Sequence, residues 1–184
     1  MICILNYGSG NVRSVYNVLK FLGYDATISN NKADILNASH LILPGVGAFN
    51  SSIKKILDTI PIDILENQVI KNGKPFMGIC VGMQVLADSG DEGGESQGLG
   101  WISGVIKKIE TDQAPLPHMG WNNIKLTQDT ELFNGLKKVN DFYFVHSYAF
   151  CEIKEENIIA KVDYESSIAA AINKDNIYGV QFHP

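Results

Sequence analysis

Cys80 is the residue of this sequence best placed to do chemistry. Phe76-Met77-Gly78-Ile79-Cys80-Val81-Gly82-Met83-Gln84 runs from a short apolar stretch into a Gly-x-Cys-x-Gly turn and then a helix start. That is the layout of a nucleophile elbow, with sulfur in place of the usual serine oxygen. A side chain at Gly78 or Gly82 would crowd a backbone that has to lift Cys80 clear of a sheet. A helix beginning just after Cys80 would set free N–H groups and the positive end of its dipole against the sulfur. Both favour the thiolate, the reactive form. Taken alone, the same residues also describe a small hydrophobe buried after a strand.

A thiolate needs a base or a cationic partner, most often histidine. The sequence has four: His40, His118, His146 and His183. His40 opens an apolar run and reads as structural. His118 and His146 fall in loops or at strand ends and could line a site. His183 ends Gly179-Val180-Gln181-Phe182-His183-Pro184, where Pro184 stops the strand. Open α/β sheets gather their active groups at strand ends, so His183 is the favoured partner of Cys80. Pro44-Gly45-Val46-Gly47-Ala48-Phe49 lies after another apolar run. Its glycines let backbone N–H groups point into a cavity, where they could hold the oxyanion of a tetrahedral intermediate. It also reads as an ordinary strand-to-helix turn. Two nucleotide motifs are absent. The turn has no Gly-Lys-Ser/Thr, and Tyr7-Gly8-Ser9-Gly10-Asn11-Val12 is followed by Arg13 where a dinucleotide fingerprint needs its third glycine.

The elements that must position these residues alternate in the first half. Ile2 to Leu5 reads as a strand. Val12, Val15, Val18, Leu19 and Leu22 recur at helical spacing before Gly23, a C-cap. Strands are predicted over Tyr24 to Ile28, His40 to Leu43 and Phe76 to Ile79. Helices are predicted over Phe49 to Ile60 and Ile62 to Ile70. This order argues for an α/β fold with right-handed crossovers. The second half reads as short strands: Val105 to Ile109, Asn123 to Leu126, Phe142 to Val145, Ile158 to Val162, Ser167 to Ile172 and Tyr178 to Phe182. Asn134-Gly135 and the run from Asn173 to Asn176 are turn chemistry between them. The expected architecture is a three-layer, open, mostly parallel sheet flanked by helices, with antiparallel strand additions in the second half. Ser89 to Gly98 is predicted to be a mobile polar loop bordering Cys80.

Composition narrows the function. The 184 residues suffice for one domain and are 45% hydrophobic and 19% charged, ordinary globular values. A net charge of -5 with no basic cluster argues against nucleic acid. No apolar run reaches the roughly 20 residues that span a bilayer, and the start of the chain lacks the pattern of a signal peptide. Cys3, Cys80 and Cys151 have no C-x-x-C spacing, so a disulfide framework or structural zinc site is not expected. A reducing cytoplasm is the natural setting.

Three separated motifs then carry a resemblance. The Pro-Gly-Val-Gly turn, Gly-Ile-Cys-x-Gly-Met-Gln and Gly-Val-Gln-Phe-His-Pro, in this order, resemble the class I (triad) glutamine amidotransferases. Asn6 to Asn11, Gly98 to Trp101, Pro117 to Asn122 and Tyr143 to Tyr148 are similar to the glutaminase subunits of imidazole glycerol phosphate synthase, a histidine-biosynthesis enzyme. The resemblance spans essentially the whole chain, a single amidotransferase domain over 1–184. It implies hydrolysis of L-glutamine by Cys80 and His183 through a thioester, with no cofactor and no metal. It places Val46, Gly47 and Val81 at the oxyanion hole, and Gly45, Gln84, Ser147 and Tyr148 at the substrate. Gln84 lies one helical turn past Cys80, so its amide can project to the same side.

The resemblance also implies a heterodimer. The partner is a (β/α)8 cyclase that receives the ammonia and makes imidazole glycerol phosphate and an aminoimidazole carboxamide ribotide. His118, Met119, Trp121 and Tyr143 are the expected docking face, with buried core as the other reading of Tyr143. The family's third triad member, a glutamate orienting the histidine, is expected just after Pro184, and the sequence reads as clipped there. A paralogous glutaminase serving another synthase and a non-catalytic subunit on the same fold are the alternatives.

Overall fold

Short runs of apolar residues facing both ways along a strand can be buried only inside a sheet covered on both faces. Cys3-Ile4-Leu5 and Leu41 and Leu43 are of this kind, each at most 1% exposed. In the computed structural model, which describes residues 1–136 and 141–183, they form the first strands of a large mixed sheet.

The first half is β1 (Ile2–Leu5), α1 (Val12–Phe21), β2 (Ala26–Ser29), α2 (Lys32–Asn37), β3 (His40–Gly45), α3 (Phe49–Thr59), α4 (Ile62–Glu66), β4 (Phe76–Cys80) and α5 (Val81–Gln84). The second half is β5 (Ser89–Gly90), β6 (Ser96–Gln97), β7 (Val105–Lys108), β8 (His118–Leu126), β9 (Asp141–His146), β10 (Tyr148–Cys151), β11 (Ile158–Tyr164), β12 (Ser166–Lys174) and β13 (Ile177–Val180). Nine strands lie in the order β2-β1-β3-β4-β13-β12-β11-β8-β9, and a second sheet runs β10-β7-β5-β6. The strands from β2 to β13 in that order are parallel, and the remaining four add antiparallel. The sheet is therefore a mixed one, with the antiparallel strands added by the second half of the chain as predicted. No described helix is long and apolar enough to cross a membrane.

Register puts the chemistry at one place. β3 and β13 flank β4, pairing Gly45 with Cys80 on one side and Val180 with Ile79 on the other. Three chain segments thus leave the sheet side by side: the turn after Pro44, the elbow at Cys80, and Gln181 to His183.

Some elements differ from the sequence reading. Ser89 to Gly98 is not a free loop: β5 and β6 pair in the second sheet, and Asn50 N–H donates to the Glu92 carbonyl at 3.2 Å, fixing the hairpin to α3. β8 starts at His118 rather than Asn123, because pairing with β9 from His118–His146 to Asn123–Asp141 organises residues that carry no apolar alternation. α2 and β10 were too short to leave a periodic signal. The predicted helix through Ile70 closes as a π turn over Asn67–Lys71.

Packing at the elbow is tight enough to test. A Cβ on Gly82 would stand 1.8 Å from the Leu43 carbonyl oxygen, and one on Gly78 would stand 2.3 Å from the Gly82 carbonyl oxygen. Both obstacles are backbone, so neither can swing aside. Gly82→Ala is expected to lower stability by about 3 kcal/mol or more, beyond the usual overpacking range. Urea denaturation should show a lower midpoint with an unchanged slope.

Candidate active site

Cys80 closes β4 with φ 57° and ψ −116°, a backbone state that a residue with a Cβ adopts at a cost of roughly 1–3 kcal/mol. The glycines at 78 and 82 let neighbouring backbone close in and hold it there. The thiol is 5% exposed and opens onto a cavity of about 430 Å³, which it shares with His183. Gln181 Nε2 donates to Cys80 Sγ at 3.7 Å. His183 is held from the backbone side, its N–H donating to the Tyr143 carbonyl at 2.9 Å across an antiparallel bridge.

Electrostatics correct one expectation. The helix after Cys80 has only four residues, and burial pushes the thiol up to about 11, with the Glu92 charge adding to it and the Val81 amide opposing. Desolvation of the charged form therefore outweighs the short helix. Burial also lowers the pKa of His183. The resting pair is a neutral thiol and a neutral imidazole, so the imidazole is a base ready to take the thiol proton as bond formation begins. Pro184, and the glutamate expected beyond it, lie outside the described residues.

The far wall is Ser147 and Tyr148. The Tyr148 carbonyl accepts from Gln84 Nε2 at 3.1 Å and from His146 Nδ1 at 2.9 Å. A carbonyl only accepts, so His146 carries its proton on Nδ1 and its Nε2 is an acceptor. His118 Nδ1, 3.1 Å away, must then donate to it, and His118 Nε2 accepts from Asn122 Nδ2 at 3.2 Å. One directed chain, Asn122 to His118 to His146 to the Tyr148 carbonyl, fixes both tautomers. Burial pushes His146 down to about 4, with the Tyr148 carbonyl opposing and His118 and His183 adding to the shift. Both rings stay neutral, as the chain requires.

His118 is thus not on a docking face. It is 3% exposed, stacked between Tyr164 at 4.1 Å and Phe144 at 4.8 Å. Its strand mates differ: Met119 is 61% and Trp121 74% exposed, with Trp121 edge-on to a half-buried Tyr143 at 5.9 Å. Since Tyr143 bridges His183, this apolar patch borders the cavity.

The other expected residues divide likewise. Val46, Gly47 and Val81 line the cavity, but Gly45 is packed beneath the turn, where a Cβ would meet the Gly82 nitrogen at 2.6 Å. Gln84 is 2% exposed; its Nε2 is fully engaged by Tyr148 and by Gln181 Oε1 at 3.0 Å, leaving a buried Oε1 without a partner. Two further groups of the site carry no role in the sequence reading. Gln181, fully buried, links Gln84 to the thiol; a polar residue inside the apolar run Gly179-Val180-Gln181-Phe182 was its signal. Glu92 lines the cavity and accepts from the Phe49 N–H at 3.0 Å at the start of α3. Nothing in its glycine-rich run marked it.

The glutamine amidotransferase class-I family model matches residues 3–184. The chain belongs to that family. It is similar to the imidazole glycerol phosphate synthase subunit HisH of Zymomonas mobilis, 43% identical over 191 residues, covering 100% of this chain and 87% of the relative. It is also similar to subunit HisH 2 of Methanococcus maripaludis, 44% identical over 186 residues, with 100% and 91% covered. Solved structures share the fold at low identity. A glutamine amidotransferase crystal structure has a TM-score of 0.74 at 18% identity, covering 99% of this chain and 89% of that one. PurLQS from Thermotoga maritima has 0.73 at 16%, with 99% and 86% covered.

A thiol raised to about 11 sets the reactivity of this amidotransferase toward simple alkylating agents. Iodoacetamide labelling of Cys80 should rise about tenfold per pH unit between roughly pH 7 and 10, following the thiolate fraction. Mass spectrometry of the Cys80 peptide checks this, and a plateau near pH 7 would mean a thiolate already formed.

Proposed function

We propose that this chain is the glutaminase subunit of a two-subunit synthase. It hydrolyses L-glutamine to glutamate and ammonia and passes the ammonia to a (β/α)8 cyclase that makes imidazole glycerol phosphate and an aminoimidazole carboxamide ribotide. The observation that carries the reading is the single cavity shared by Cys80, on a strained elbow, and His183, at the end of the adjoining strand. Family membership supports glutamine as the substrate. The names of the relatives support the synthase.

His183 takes the thiol proton as Sγ attacks the side-chain amide carbon of glutamine. The N–H groups of Val81 and of Val46 or Gly47 receive the oxyanion. His183 returns the proton to the departing nitrogen, ammonia leaves, and a thioester remains on Cys80. Water, deprotonated by His183, adds to the thioester carbon, and collapse releases glutamate and the thiol. The Glu92 carboxylate suits the α-ammonium of the substrate, and the unpartnered Gln84 Oε1 suits an N–H donor. The carbonyl of Tyr148, saturated from behind, holds the backbone at Ser147 as a rigid wall.

Ammonia released into water is protonated and lost as a nucleophile, so the cavity has to discharge into a partner. Met119 and Trp121 beside the cavity are the proposed docking residues, with Tyr143 backing them.

Cys80→Ala is expected to abolish glutamate release from glutamine, and His183→Ala to reduce it by about 10²–10⁴-fold. The cyclase should stimulate turnover at least about tenfold. Trp121→Ala should weaken that complex by about 2 kcal/mol, roughly thirtyfold in Kd, as an exposed aromatic anchor does. Turnover retained in Cys80→Ala would end the catalytic reading, and absence of stimulation would end the assignment of the partner.

A further inference from the structure

A carbonyl oxygen can only accept a hydrogen bond. Applied inward from the Tyr148 carbonyl, that rule settles the direction of each amide between it and Cys80. Gln84 must turn its Nε2 towards Tyr148, 3.1 Å away. The same nitrogen offers its second N–H to Gln181 Oε1 at 3.0 Å. Gln181 is thereby held by its oxygen, and its Nε2 faces Cys80 Sγ at 3.7 Å. With the Gln181 amide reversed, two NH2 groups would confront each other at Gln84. With both amides reversed, two carbonyl oxygens would meet at Tyr148. Only one arrangement satisfies the chain, and it ends in a donor aimed at the nucleophile.

Gln181 is fully buried and lies outside the cavity lining. Its backbone N–H donates to the Ala170 carbonyl at 2.8 Å, and that of His183 to Tyr143 at 2.9 Å. Residues two apart in extended chain share a side. One strand end therefore brings two groups to the thiol, His183 in the cavity and Gln181 in the core. We propose that Gln181 is a further catalytic residue of the glutaminase, the fixed donor that stabilises negative charge on the Cys80 sulfur. This rests on the glutaminase reading above and adds a group for the sulfur, separate from the N–H groups that receive the oxyanion. Charge reaches the sulfur twice. First the S–H bond breaks, its proton passes to His183, and the sulfur attacks the amide carbon. Later the C–S bond of the second tetrahedral adduct breaks, its electron pair goes to the sulfur, and His183 returns the proton. The donor stands in place for both, so nothing has to reorient. Burial opposes a charged sulfur, and a donor held at low dielectric is worth correspondingly more there.

Alkylation by iodoacetamide reads the sulfur without glutamine. The test compares the full-length chain with Gln181→Met and Gln84→Met at a single pH of about 8, where alkylation follows the thiolate fraction. A fixed pH keeps the titratable neighbours of the thiol, Glu92, Tyr7, His146 and His183, comparable between variants. Met keeps the length of Gln181 and removes the donor, which should cut the thiolate fraction about tenfold. A more basic thiolate is also a better nucleophile, so alkylation should slow by about threefold. With the cyclase present, kcat for glutamine should fall about tenfold, because the departing sulfur loses its donor too. KM should stay within about twofold, since Gln181 lies outside the cavity. Gln84→Met keeps the donor but frees the Gln181 amide to turn, and should slow alkylation by about twofold. A role in packing alone would lower the thermal midpoint and leave alkylation of the folded variants unchanged. An unchanged or faster alkylation rate in Gln181→Met overturns the proposal; if that variant does not fold, the same result in Gln84→Met does so. An unaltered chain that is alkylated at Cys80 yet releases no glutamate with the cyclase would end the glutaminase reading instead.

Discussion

Close approach of backbone to backbone at the ends of β3 and β4 is the constraint on which the rest of the site depends. Gly78, Gly82 and Gly45 each have main-chain atoms within 3 Å of where a Cβ would be. That contact lets α5 begin immediately after the strand and forces Cys80 into φ 57°. The strain at Cys80 is retained because the surrounding close-packed backbone leaves no room to relax it. Parallel register then fixes what stands to either side: the turn 44–47 on one flank and Gln181 to His183 on the other.

The same burial that gives the site its precision sets its charge state. The thiol is raised and His183 and His146 are lowered, all with burial as the leading cause. A neutral thiol beside a neutral imidazole makes a quiescent site. Charge appears only as the reaction proceeds, so the groups that receive it matter most.

Polar side chains around the cavity form two supports. Gln84 and Gln181 connect the elbow helix, the last strand and the thiol. Asn122, His118 and His146 connect β8 and β9 to the carbonyl of Tyr148. Both converge on that carbonyl, so the wall bearing Ser147 is fixed by donors from two different sheet regions. Fully used hydrogen-bonding groups at low dielectric hold one geometry. This explains why His118 stands behind the cavity wall, while His146 lines the cavity with its ring fixed from behind.

Local sequence determined the elbow, the strand–helix alternation and the pairing of Cys80 with His183. Each is written in steric or periodic terms that act within a few residues: glycines where no Cβ fits, apolar runs that must be buried, a histidine at a strand end. Tertiary structure decided the remainder. The exposure of Trp121 against the burial of His118, three residues apart on one strand, depends on what packs on each face of β8, and neighbouring strands are not visible in a local pattern. The protonation state of the thiol was decided by desolvation, a property of every atom around it, which reversed the helix effect that its sequence position suggested. Glu92 reached the site through a contact with Phe49, 43 residues away in the chain. Sequence could state which residues had the chemistry; only the assembled fold could state which oxygens and N–H groups they face.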